Sequence, residues 1–315
     1  MSDTFCENDL HDYIRENSKG LGPRVLVGPG DDLALLDFHG HGLLAGVDQV
    51  VEGVHFSVGT TPEAIGHKAV ARNISDVAGM AGRPIATLAS CVLPMQASAE
   101  FAMRLVESIR RTALHFNAPL IGGDTAVHRG DGPLTVSVTV LAEPISLALP
   151  PILRSGGHAN DKLFVTGKLG GSLLADGTGR HLDFTPRLDE AESLICSLGG
   201  DLHAMMDISD GLAQDAMRLA QASDMQAVID AASLPCWPGC GWQQAMCDGE
   251  DYELLFAASP TRTIPSVIGR GRTPISCVGI LRPMPTPNAP RIICMLSDVE
   301  VSLSNTASFH RFGFQ

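Results

Sequence analysis

Positive charge is in short supply in this 315-residue chain. Lys and Arg number 22 against 35 Asp and Glu, for a net charge of −13. Nucleic-acid binding needs stripes of Lys and Arg to neutralise phosphates, so that class is excluded. Aromatic residues are scarce at 5%. No apolar run approaches the roughly 18 residues of a membrane span, and no basic-then-apolar leader opens the chain. The expectation is a soluble cytoplasmic protein that meets neither membrane nor nucleic acid. Cysteines stand at 6, 91, 196, 236, 240, 247, 277 and 294. They lack framework spacing, and the cluster Cys236, Cys240 and Cys247 lacks the paired C-x-x-C units of a zinc ribbon. Free thiols in a reducing compartment are the plainer reading.

The familiar catalytic signatures are also missing. There is no G-x-x-x-x-G-K-[ST] phosphate loop, no G-x-G-x-x-G after a strand and no protein-kinase set. G-x-S-x-G and H-E-x-x-H are absent. Gly167-Lys168-Leu169-Gly170-Gly171-Ser172 is glycine-rich and follows a strand, but its lysine is misplaced for a phosphate loop.

What is present is glycine, 33 residues or about one in ten, and enough apolar residues (44%) for a large interior. The length suits two domains. Helical spacing predicts helices at 5–18, 62–79, 99–116, 188–198 and 212–222. Apolar runs predict strands near 25–27, 33–36, 43–47, 86–93, 134–141, 162–166, 228–230, 252–256 and 276–280. Pro144, Pro150 and Pro151 mark a linker. The expected fold is therefore α/β (or α+β) in two domains, 1–146 and 147–315.

Five acidic segments stand beside Gly or Ser at the ends of apolar runs. They are Gly28-Pro29-Gly30-Asp31-Asp32, Val47-Asp48-Gln49, Asn73-Ile74-Ser75-Asp76, Gly122-Gly123-Asp124-Thr125 and Asp207-Ile208-Ser209-Asp210. A single Asp in such a place is ordinarily a helix cap or turn former. Five that converged would repel one another at a cost of several kcal/mol unless cations neutralised them. Carboxylates without His or Cys suit a hard cation such as Mg²⁺, which is typically shared with substrate phosphates. Gly122-Gly123 would let backbone N–H groups approach a phosphate. The residues point to a metal-bridged nucleotide site.

In order along residues 24–256, "GDD", "VEGVHF", "GHKAVARNISD", "LIGGDT", "LRSG…VTGKLGGS", "MDISDGL" and "GEDYELLF" resemble the thiamine-monophosphate kinase family. That family lies within the aminoimidazole-ribonucleotide-synthetase-like superfamily of ATP-using enzymes. The resemblance implies an N-terminal domain that pairs with its twin in a barrel-like homodimer interface, and a C-terminal layered α/β domain. It implies ATP in the cleft between domains, several Mg²⁺ ions, and phosphoryl transfer from ATP to thiamine monophosphate. The metal ligands it implies are Asp31, Asp48, Asp76, Asp124, Asp207 and Asp210, of which Asp124, Asp207 and Asp210 are the catalytic centre. Asp32 stands beside the first as a supporting acid. Gly123, Asp124, Arg154 and Ser209 match nucleotide-contacting positions; His55, Glu250 and Phe309 match substrate-contacting ones, with Asp251 an alternative to Glu250. Phosphoryl transfer between two polyanions needs positioning and charge neutralisation more than a protein nucleophile, which agrees with these residue types.

One departure from the family pattern is that Gly46 and Val47 replace the hydroxyl residues that precede Asp48. Ser209 has a second reading as the cap of the helix that follows it. The competing functions are another ATP-using member of the superfamily with a different acceptor, and a non-catalytic nucleotide or metal-ion sensor.

Overall fold

A computed structural model of the protein describes residues 7–18, 20–145, 150–297 and 299–301. The expected domain boundary at 146/147 and the expected substrate contact Phe309 lie outside the described residues.

The N-terminal part is one mixed sheet with helices on a single face. Its strands are β1 (Val25–Val27), β2 (Ala34–Phe38), β3 (His41–Val51), β4 (Gly82–Leu93), β5 (Leu120–Val127) and β6 (Thr135–Pro144). They run in the order β1-β2-β3-β6-β4-β5, and only β4 and β5 are parallel neighbours. Alternation along β6 explains the layering: Val136, Val138, Val140 and Ala142 are fully buried, while the residues between them are half exposed. The buried face is covered by α2 (Pro62–Gly79) and α3 (Ala99–His115), which follow the short α1 (Glu7–Asn17). Thr61 and Ser98 cap the two long helices through hydrogen bonds to Ala64 N–H and Phe101 N–H. Helix α3 buries only Leu105, Ile109 and Ala113, one stripe at a spacing of four. The opposite face of the sheet is bare in the single chain. It exposes Val47, Ile85, Leu88 and Ile121. Among the described residues the sheet is open and closes no barrel.

The C-terminal part has its own sheet of β7 (Lys162–Thr166), β8 (Leu202–Asp207), β9 (Met225–Asp230), β10 (Leu254–Ala258), β12 (Thr273–Pro283), β13 (Ile292–Leu296) and β14 (Val299–Val301), ordered β14-β13-β9-β12-β7-β10-β8. The short β11 (Val267–Ile268) pairs with β12. The inner strands are apolar on both faces, as a sheet covered on both sides requires. Leu163, Val165, Ala204, Met206, Leu255 and Ala257 pack toward α5 (Leu212–Ala222). The alternate residues Phe164, Met205, Leu254 and Phe256 pack toward α4 (Leu188–Leu198). That second cluster also contains Ala78 and Ala81, from the end of α2 and just beyond it. Helix α2 therefore belongs to both cores: its N-terminal half lies on the first sheet and its C-terminal end under the second.

Strands β11, β13 and β14 lie where none was expected, and three further elements differ from expectation. The strand expected at 252–256 runs from Leu254 to Ala258, because Glu250 and Tyr252 take positive φ (56° and 52°) and cannot join the ladder. The glycine-rich stretch around Gly122 is itself a strand, β5, held at a sheet edge by pairing with β4. Helix α6 (Trp242–Cys247) is too short to show a helical pattern.

Phe256 is fully buried and stacks on Phe164 with ring centroids 5.2 Å apart. Phe256→Ala is expected to cost about 3–5 kcal/mol, read as a lower urea midpoint with an unchanged m-value.

Candidate active site at the domain junction

Helix α2 is where polar chemistry enters the interior. Fourteen of its eighteen residues are buried. Yet Lys68, Arg72, Ser75, Asp76 and Gly79 fall at spacings of three and four, on one stripe that is buried except at the half-buried Asp76. Each polar member needs a partner, and the partners come from both sheets.

At the top of the stripe, Lys68 is fully buried with three acceptors around its ammonium: His55 O at 2.8 Å, His181 Nδ1 at 2.8 Å and Glu250 Oε2 at 2.5 Å. Burial, and then the charge of Lys68, lower the His181 pKa to about 4, so the ring is neutral. Its Nδ1 accepts from Lys68, so its proton sits on Nε2, which donates to Gly177 O at 3.2 Å. Glu250 also accepts from Tyr252 Oη at 2.9 Å, and His55 Nδ1 accepts from Val51 N–H at 3.1 Å. The two expected substrate residues, His55 and Glu250, thus meet around one lysine. Asp251 is held elsewhere: its carboxylate accepts from Gly170 N–H, and Asp248 accepts from Gly171 N–H at 2.8 Å. The amides of that glycine loop are therefore occupied by carboxylates. Arg180 covers the same loop through Gly170 O and Gly171 O and stacks on Trp237, 4.0 Å from the ring centre.

One turn down, Arg72 bonds Gln49 O and pairs with Asp48 at 3.0 Å, and Asn73 Oδ1 accepts from Asp48 N–H. Strand alternation resolves the departure beside Asp48. Val47 points to the bare face of the sheet and is 64% exposed, so a hydroxyl there would face away from Asp48. Gly46 packs so closely on Leu33 that any Cβ would overlap it.

The lower end of the stripe carries the carboxylate group. Oxygens of Asp32, Asp76 and Asp207 all lie within 4.8 Å of one another. Ser75 Oγ donates to Asp207 Oδ2 at 2.6 Å. Asp32 Oδ1 is paired with Arg154, while its Oδ2 is buried and has no hydrogen-bond partner among the described residues. Gly79 makes room: a Cβ there would overlap Asp32 Oδ2 and lie 3.0 Å from Asp207 N. Burial and mutual repulsion push Asp76 and Asp207 well above the usual carboxylate range, and burial raises Asp32 despite Arg154.

Of the six expected ligands, then, two are brought together within the chain, and the third carboxylate is Asp32 rather than Asp31. Asp31 instead accepts the backbone N–H groups of Asp32 and Arg154 at 3.0 Å each, which fixes the segment that delivers Arg154. Burial raises its pKa to about 6. Asp48 and Asp210 border the group but are paired with Arg72 and Arg218. Asp124 lies on the exposed edge strand β5 and is not among the three. Gly123 there packs against Ala89 O, where no Cβ fits. Ser209 does not cap α5, whose N-cap is Gly211; Asp215 reaches back to accept from Ser209 N–H and Asp210 N–H at 3.0 Å. Burial, then the Asp210 charge, raise Asp215 to about 7. Lys68, Arg218 and Asp215 were not foreseen. The helical repeat from Lys68 to Asp76 was the signal that offered the first.

The chain matches the models of two family domains, AIR synthase related protein N-terminal domain over residues 30–143 and C-terminal domain over 159–267. It is 36% identical over 267 residues to the thiamine-monophosphate kinase of Rhodopirellula baltica, covering 79% of this chain and 80% of that protein. The chain belongs to the thiamine-monophosphate kinase family. The Bacillus subtilis thiamine-monophosphate kinase is 36% identical over 261 residues, covering 75% of this chain and 78% of its own. Among solved structures, AaThiL complexed with AMPPCP and TMP superposes with a TM-score of 0.75 at 26% identity, over 95% of this chain and 97% of that one. Among the described residues no helix is long and apolar enough to cross a membrane.

Two outcomes test the electrostatics of this kinase-family site. Lys68→Met leaves Glu250 buried without its cation and is expected to cost about 3–5 kcal/mol, with much of the loss recovered in the Lys68→Met/Glu250→Gln double variant. The carboxyls of Asp31, Asp32, Asp76, Asp207 and Asp215 hold protons in the folded state above the 3.8 of the unfolded chain. The native state binds the extra protons, so stability is lost as pH rises. The melting temperature of cation-free protein should fall between about pH 5 and about pH 7, and a divalent cation should restore more stability at the higher pH.

Proposed function

We propose that this chain phosphorylates thiamine monophosphate. The γ-phosphoryl group leaves the β-phosphate oxygen of ATP and joins an oxygen of the acceptor phosphate, giving ADP and thiamine diphosphate. The observation that carries this reading is the buried group Asp32, Asp76 and Asp207, with an unpartnered oxygen, at the junction of the two domains. It is supported by membership of the kinase family and by the relative complexed with AMPPCP and TMP.

The donor set fits a hard divalent cation such as Mg²⁺: it is all oxygen, includes an oxygen without a hydrogen-bond partner, and burial raises the pKa of each of its carboxyls. Asp32, Asp76 and Asp207 would hold such ions, with Asp31, Asp48 and Asp210 at the margin of the site as further ligands, and Asp124 is proposed as a further ligand from β5. When bound, the ions supply neutralisation of the phosphate charge shared between donor and acceptor. The chain's own residues do the rest. Arg154 is a cation poised to exchange Asp32 for a nucleotide phosphate, and Asp31 fixes its backbone meanwhile. Gly123 and Ser209 are proposed nucleotide contacts, and His55 and Glu250, anchored by Lys68, form the acceptor's side. Transfer needs no covalent protein intermediate, because alignment and charge neutralisation supply the catalysis.

A homodimer is part of the proposal. The bare sheet face with Val47, Ile85, Leu88 and Ile121 is apolar and would be covered by a second copy. A cytoplasmic setting suits the free cysteines of the described residues.

Purified protein with ATP, Mg²⁺ and thiamine monophosphate should form ADP and thiamine diphosphate in equal amounts. Asp76→Asn or Asp207→Asn should lower kcat at least about 100-fold while the fold is kept. Nucleotide binding with no diphosphate formed would favour the sensor reading instead. Val47→Asp should shift the sedimentation coefficient from dimer to monomer; an unchanged value would remove this face as the interface.

A further inference from the structure

A second group of ligating side chains lies outside the carboxylate site. His158 stands just past the 3-10 turn Arg154–Gly156, Asp161 directly precedes β7, and His203 is on β8. Their ligand atoms all fall within 4.8 Å of one another. His203 Nδ1 is 2.8 Å from Asp161 Oδ2 and 3.2 Å from His158 Nδ1. The two rings meet edge to face, 70° apart in plane.

The backbone holds this triangle rigidly. Asp161 O accepts from Leu281 N–H and Asn160 N–H donates to Leu281 O, tying the segment to β12. His158 N–H donates to Asp161 Oδ2 at 2.7 Å, and Gly156 packs directly on His203 O. Asp161 is buried, His203 nearly so, and His158 is exposed.

Proton counting shows what the triangle lacks. With a proton on Nδ1, the His203 ring donates to the Asp161 carboxylate, which is an acceptor only. His158 Nδ1 then faces a nitrogen whose proton is already engaged. Three electron-pair donors converge with one good hydrogen bond among them. Ligands at about 2.0–2.1 Å in tetrahedral array stand about 3.3 Å apart, so the nitrogen pair already has ion-binding separation and the His–Asp pair opens by about half an ångström.

We propose that His158, Asp161 and His203 form a binding site for a borderline-soft first-row cation of the Zn²⁺ class, with solvent completing the coordination on the His158 side. Two imidazoles with one carboxylate select such an ion over Mg²⁺, which the all-carboxylate group favours. The site sits on the segment that carries Arg154, so occupation would stiffen the approach to the nucleotide cleft.

The test uses the full-length chain, stripped by chelator and titrated with Co²⁺ in millimolar Mg²⁺. One Co²⁺ per chain is expected, with visible d–d bands, no thiolate charge-transfer band, and displacement by Zn²⁺. His158→Ala, at an exposed position, should weaken Co²⁺ at least about 100-fold without changing the far-UV circular dichroism. Asp76→Asn should leave the bands as they are. Absence of the bands, a thiolate charge-transfer band, or unchanged binding in His158→Ala would overturn the proposal and leave the group a hydrogen-bonded clasp between β8 and its neighbouring segment.

Discussion

Everything at the domain junction depends on one constraint: a helix buried between two sheets that is nonetheless polar along one stripe. Burying Lys68, Arg72, Ser75 and Asp76 without partners would cost more than the fold can sustain. Lys68 meets Glu250 and His181, Arg72 meets Asp48 and Ser75 meets Asp207 only if those partners arrive from their own strands and loops in the right place, while Asp76 is left among other carboxylates. The polar stripe thereby fixes the mutual position of the two sheets more sharply than apolar packing alone, which tolerates sliding.

The same stripe explains why the site is strained electrostatically. The carboxylates of Asp31, Asp32, Asp48, Asp76, Asp207, Asp210 and Asp215 share a neighbourhood with the guanidiniums of Arg72, Arg154 and Arg218. Burial, together with the excess of negative groups, raises the carboxyl pKa values of Asp76 and Asp207. A site of this kind is ready for an incoming cation and phosphate together, because each neutralises what the other leaves. Arg154 is the adjustable element, held at its backbone by one aspartate and at its side chain by the next.

Much of this was legible in the chain itself. Apolar periodicity located most of the helices and inner strands, because those elements bury one face or two and the pattern follows directly. The acidic segments announced a shared site, because like charges at successive strand ends have few structural uses. The choice between Asp31 and Asp32 was not legible: adjacent residues on an irregular segment point in different directions, and only the fold decides which faces inward. Asp124 stands apart from the three carboxylates on the edge strand β5, where Gly123 packs against Ala89 O, a placement that adjacent glycines in a sequence do not reveal. Asp215 and Arg218 act across three residues of α5 and look, in sequence, like any solvated helix surface. The His158–Asp161–His203 group joins residues 45 positions apart, and only the pairing of segment and strand makes it visible.

The sharing of α2 also bears on how this protein can change over generations. Ordinary helices have a solvent face on which substitutions accumulate at little cost. Here Ala78 is shared with the second core, Gly66 touches α3, Gly79 clears the carboxylates, and the polar positions are each tied to a distant partner. Almost no position along the buried length of the helix can be exchanged without disturbing a partner elsewhere, so substitutions in α2 are expected to cost more than those on the exposed faces of α3, the outer strands and the loops.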